Sequence, residues 1–110
     1  MSNIENKRKV HIVVKGMVQG VGFRYYTRAV GQELGISGWV KNLSSGDVEI
    51  VGAGNRGHID EFVRRISTGP PHSHVTHVVL SELDDASNLA DECSSDANLM
   101  DLNEGFKIIL

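Results

Sequence analysis

Three residues, Ser44-Ser45-Gly46, separate two strand-like runs near the middle of this chain, and no other feature limits its possible folds so much. The runs are Ile36–Leu43 and Asp47–Ala53. A link this short joins antiparallel neighbours, because a parallel pair needs a crossover of a dozen or more residues. The same pattern of strands and a helix stands on each side of the hairpin. Lys9–Lys15 alternates, with Val10, Ile12 and Val14 on one face and Val13 on the other. Phe23–Leu34 reads as a helix: Phe23, Tyr26, Thr27, Val30 and Leu34 fall on one side, and Gly35 suits its C-terminal cap. Beyond the hairpin, Asn55 can cap a second helix, with Ile59, Phe62, Val63 and Ile66 as its buried stripe. Gly69-Pro70-Pro71 stops it. Val75–Leu83 is a fourth strand, and Gly105–Leu110 is a brief fifth.

The order βαββαβ, with a short final strand, predicts an α+β chain of the ferredoxin-like split βαβ plan. In that plan two helices cover one face of an antiparallel sheet. A length of 110 residues fits one domain over 1–110. Residues 84–104 are acidic and lack periodicity, so a flexible loop insertion is expected there. Gly31 weakens the first helix by up to about 1 kcal/mol relative to alanine, so packing must hold that helix.

Charge is unevenly spread. Residues 1–81 carry ten Lys/Arg against six Asp/Glu, whereas residues 82–110 carry one against eight. The larger part is mildly basic, which suits a small anion, but the net charge of −3 argues against nucleic acid. Cys93 is the single cysteine, which excludes an intrachain disulfide and a cysteine-rich metal site. No apolar run is long enough for a signal peptide or a membrane span, so a cytoplasmic protein without membrane contact is expected.

The anion chemistry sits between the first strand and the first helix. Lys15-Gly16-Met17-Val18-Gln19-Gly20-Val21-Gly22-Phe23-Arg24 is punctuated by glycines, and the strand is expected to end where Gly16 begins the loop. Glycines let successive N–H groups converge on one hollow, and a helix N-terminus adds unpaired N–H groups and partial positive charge. Arg24 in the first helical turn opposes the macrodipole by roughly 0.3–1 kcal/mol, and a bound anion would reverse that effect. Its guanidinium fork matches two oxygens of a phosphate. Asn42 lies near the end of the second strand, where its amide can hold a water by one donor and one acceptor contact. Taken singly, each residue also has a plain reading, as a surface arginine after a turn and an asparagine that shapes a hairpin.

Together the segments are specific. Gly16-x-Val18-Gln19-Gly20-Val21-x-Phe23-Arg24, followed by Gly38-Trp39-Val40-x-Asn42-x-x-x-Gly46-x-Val48-Glu49, closely resembles both signatures of the acylphosphatase family. The similarity runs over roughly residues 8–83 in order and spacing. It implies hydrolysis of acyl phosphates to a carboxylate and inorganic phosphate, with no metal and no cofactor. It implies that the backbone amides of Val18, Gln19, Gly20, Val21 and Gly22 bind the phosphate together with Arg24. Asn42 would orient the attacking water. Arg24 and Asn42 are thus the expected catalytic pair. The expected partners are the small-molecule substrate and phosphate alone, and the chain is expected to be a monomer. The expected link between the last two strands is longer than the family's usual one.

Other patterns are weaker. Gly52-Ala53-Gly54-Asn55-Arg56-Gly57 fits a dinucleotide glycine motif, but the region about 20 positions on, His72–His77, holds no carboxylate. It reads instead as a tight strand-to-helix turn. His72, His74 and His77 lack an evident fourth ligand and read as alternate residues of an exposed strand edge. Tyr25, Arg28, Arg64 and Arg65 read as solvated helix positions. Two other functions use this kind of fold. An RNA-recognition module would need aromatics on its first and third strands, and Lys9–Lys15 and Asp47–Ala53 have none. A non-catalytic anion-binding or regulatory module within a larger assembly, as in hydrogenase-maturation proteins, is the alternative.

Overall fold

The computed structural model describes residues 6–83 and 105–110. The elements are β1 (Lys7–Met17), α1 (Phe23–Glu33), β2 (Ser37–Asn42), β3 (Val48–Asn55), α2 (Arg56–Thr68), β4 (His74–Leu83) and β5 (Phe106–Ile109). They build one five-stranded sheet in the order β4-β1-β3-β2-β5. β1 lies antiparallel to both β3 and β4, and β2 lies antiparallel to β3. β5 joins β2 in parallel, with Gly38 opposite Phe106. This is the βαββαβ plan with a fifth strand added at the β2 edge.

Alternation along the strands divides the two faces. Val10, Ile12 and Val14 of β1, Val40 of β2, and Val48 and Ile50 of β3 are buried in one core. Phe23 and Val30 of α1, and Ile59, Phe62 and Ile66 of α2, pack into the same core. Burying each of these larger side chains contributes about 1.5–3 kcal/mol, so this face holds both helices to the sheet. On the other face Trp39 stands opposite Val51, and both are fully buried. His11 Nε2 lies 2.9 Å from Glu49 Oε2 there, which gives the buried carboxylate its partner.

The helix ends follow from their residues. Asn55 caps α2, its side chain accepting from the Gly57 N–H at 2.9 Å. Gly69 ends the helix at φ +76°. Gly31 is where α1 meets β5: a Cβ there would lie 2.6 Å from Phe106 Cδ2. The helix therefore gives up propensity to let the ring of β5 approach its backbone.

Two departures from expectation bear on the glycine motifs. β1 does not end at Lys15. It continues through Gly16 and Met17, which pair with Val75 and His74 after a bulge between Lys15 and Gly16. Gly16 belongs to that bulge, with φ of +126° and a virtual Cβ only 2.1 Å from the His74 carbonyl oxygen. The glycines of the dinucleotide-like motif do not form a turn either. Gly52 and Gly54 are strand residues of β3, and the strand runs directly into the Asn55 cap. A Cβ on Gly52 would come within 3.2 Å of Phe62 Cε2. The expected flexible loop at 84–104 lies outside the described residues.

Candidate active site

Residues 18–22 link the end of β1 to the start of α1. Gly20 and Gly22 hold φ of +76° and +77°, a left-handed backbone that side-chain-bearing residues adopt only with strain. A Cβ at either position would meet nothing within 4 Å. Chain direction, not crowding, requires glycine here. None of the turn and loop hydrogen bonds among the described residues is donated by an N–H of residues 18–22. Gly22 is also the N-cap of α1 and has no side chain to cap it. The first-turn N–H groups of α1 are thus left open, and no acidic residue stands in that turn to oppose the helix charge.

Arg24 is the second residue of α1 and is half-buried. Among the described residues its guanidinium has no ion pair and no hydrogen bond. The contrast with other arginines is sharp. Arg8 is tied to Asp60 and Glu82, Arg64 to Glu61, and Arg65 to Glu61 and Glu33. Arg28 lies 5.3 Å from the centroid of the exposed Tyr25 ring.

Asn42 is the last residue of β2. Its side chain follows the alternation of the buried Val40 and so faces the helix-covered side. Its Oδ1 is buried and has no hydrogen-bond partner among the described residues. An unpaired buried carbonyl of this kind is uncommon and marks a place where a water or a ligand group is wanted. Register places Asn42 opposite Val48, which in turn lies opposite Val14 of β1. Asn42 thus stands at the end of the sheet from which the loop emerges.

Gln19 fastens the two halves of this site. Its Nε2 donates to the carbonyl oxygens of Leu43 and Asp47, both at 2.8 Å. Two carbonyl neighbours also settle which end of the amide is nitrogen. Beside it, Lys15 Nζ lies 2.8 Å from Asp47 Oδ2, and that hydrogen bond holds the Asp47 carboxyl below its ordinary range. Neither tie was legible as part of the site. The motif implies only a backbone amide for Gln19, and its side-chain partners lie 24 and 28 residues away.

The histidine candidates lie on or beside β4, whose first residue, His74, pairs with Met17 at the same end of the sheet. His74 and His77 sit on β4 with the bulge between them, and His72 precedes the strand at φ +74°. They are therefore not alternate residues of one regular strand. Among the described residues, no group of three or more His, Cys, Asp or Glu side chains could hold a metal ion. Among those residues, too, no helix is long and apolar enough to cross a membrane.

Comparison with known proteins agrees with the motifs. The sequence model of the acylphosphatase family matches residues 10–92. The acylphosphatase of Chlorobaculum tepidum is 41% identical over 78 residues, which covers 71% of this chain and 85% of that one. The structure of an acylphosphatase from Coxiella burnetii matches with a TM-score of 0.76 at 33% identity, covering 96% of this chain and 95% of its own. Full-length HypF, in a phosphate- and nucleotide-bound form, matches with a TM-score of 0.72 at 28% identity. That match covers 94% of this chain but 12% of the longer protein.

Proposed function

This chain belongs to the acylphosphatase family, whose reaction is the hydrolysis of acyl phosphates, and from that premise we propose which residues carry the chemistry. The N–H groups of Val18, Gln19, Gly20, Val21 and Gly22 form the phosphate cradle. Arg24 closes over two phosphoryl oxygens through its guanidinium fork. Asn42 holds the attacking water in line with the bond to be broken.

The reaction makes modest demands on the protein. Water forms a new oxygen–phosphorus bond while the bond from phosphorus to the acyl oxygen breaks. The acyl group leaves as a carboxylate with the bonding pair, and the water's proton passes to a phosphoryl oxygen. A carboxylate is a good leaving group, so no general acid has to protonate it. The remaining work is positioning and charge stabilisation on the transferring phosphoryl group. Donors fixed in place before the reaction supply the second without reorganising. No metal is assigned a step.

The observation that carries this reading is the pairing of two unsatisfied sets. Among the described residues, loop and helix-end donors stand open beside an Arg24 without a partner, and a buried, unpaired Asn42 acceptor stands at the same end of the sheet. Phosphate release from benzoyl phosphate tests it, run with and without a chelator. Hydrolysis should persist in chelator and vanish in Arg24→Ala. A chelator-sensitive rate, or an active Arg24→Ala, overturns the proposal. The same assay separates an enzyme from a non-catalytic anion-binding module.

A further inference from the structure

We propose that the Gln19 side chain is a positioning strut, which sets the gap between the phosphate loop and the water-orienting Asn42. The inference rests on the site reading above and assigns Gln19 a second role beyond its backbone amide.

The geometry is specific. The β2–β3 turn is closed by two backbone bonds: Leu43 N–H donates to Asp47 O at 2.8 Å, and Gly46 N–H donates to Leu43 O at 3.1 Å. Each of those carbonyls has a second lone pair. Gln19 Nε2 has two hydrogens, and it spends one on each carbonyl. One side chain thereby completes both acceptors of the turn. Leu43 is the immediate neighbour of Asn42, so the strut bears on the backbone that aims the Asn42 amide. The other end of the strut is the loop itself, since Gln19 lies between the buried Val18 and the left-handed Gly20. Lys15 and Asp47 hold the same two segments together on the surface, but that pair is more exposed and screened by salt. Gln19 is half-buried and uncharged, so its hold does not depend on ionic strength.

A strut of this kind acts on the water, not on the phosphate. Gln19→Met keeps the side chain's length and removes both donors. With benzoyl phosphate, kcat should fall by about tenfold to a hundredfold, as for a misplacement of the order of 1 Å. KM and inhibition by inorganic phosphate should stay near wild type. A double-mutant cycle with Asn42→Ala supplies the readout that a merely structural role would not move. In the Asn42→Ala background, Gln19→Met should cost little further activity, because the group it aims is gone. Additive losses, or phosphate inhibition weakening in step with kcat, overturn the proposal. Should Asn42→Ala itself turn over at the wild-type rate, the reading of Asn42 fails separately. Amide exchange then decides the strut. The Leu43 and Gly46 N–H groups should exchange faster in Gln19→Met, and unchanged exchange removes the strut.

Discussion

Arg24 and Asn42 divide the proposed chemistry between charge and geometry, so their substitutions should fail in different ways. Arg24 is a planar fork at the start of a helix whose own end is electropositive. Lysine keeps the charge but offers one point instead of two parallel donors. Arg24→Lys should therefore lose at least about a hundredfold in kcat/KM, comparable to removing a preorganised donor. Near-normal turnover in steady-state assays would sink the assignment. Asn42→Ala removes the proposed holder of the water and leaves the proposed cradle whole. Its kcat should fall by about a hundredfold while phosphate inhibition is retained. A parallel loss of phosphate binding would show that Asn42 maintains structure instead. Arg24 and Asn42 were legible as candidates because each belongs to a local motif with fixed spacing. The Gln19 bridge was not, because nothing near Gln19 in sequence names carbonyls on another strand.

Among the elements, α1 shows most clearly how packing overrides local preference. Gly31 disfavours the helix by up to about 1 kcal/mol, so alanine there would stabilise an isolated α1. In the folded chain the added carbon would meet Phe106 Cδ2 at 2.6 Å and Phe106 Cγ at 2.7 Å. Phe106 also packs against Phe62, with ring centroids 5.6 Å apart, so the ring is already engaged in the core. Overpacking of this kind costs about 1–3 kcal/mol, which outweighs the propensity gain. Gly31→Ala should lower the urea midpoint, and a raised midpoint would mean that β5 yields freely. The same contest explains which elements could be read from sequence. Strand and helix interiors were legible because Val10, Ile12 and Val14, or Ile59, Phe62 and Ile66, repeat with the period of one buried face. Ends and glycines were not. β1 outruns its alternation because β4 offers partners to Gly16 and Met17. Gly52 mimics a nucleotide loop although its place in β3 is set by the approach of Phe62.

At the scale of the whole molecule, the sheet order gathers distant segments at one end. The exits of β1 and β2 and the entries of β3 and β4 all meet there, through the pairs Val14–Val48, Asn42–Val48 and Met17–His74. The start of α1 joins them through the loop. A phosphate held, as proposed, by the loop and Arg24 would bridge groups that are close only in the folded chain. Binding must then stabilise the fold by linkage, about 2.7 kcal/mol at a phosphate concentration a hundredfold above Kd. For a domain of this size that is a rise of roughly 10 °C in thermal midpoint. Phosphate also stabilises proteins generally through exclusion from their surfaces, so the bare shift decides nothing. The deciding quantity is the difference between the wild type and Arg24→Ala across a phosphate titration. The wild-type midpoint should climb first at concentrations near Kd, whereas the variant should show only the shallow, unsaturating rise of exclusion. Superimposable titrations would place the phosphate elsewhere than the end of the sheet where these segments meet.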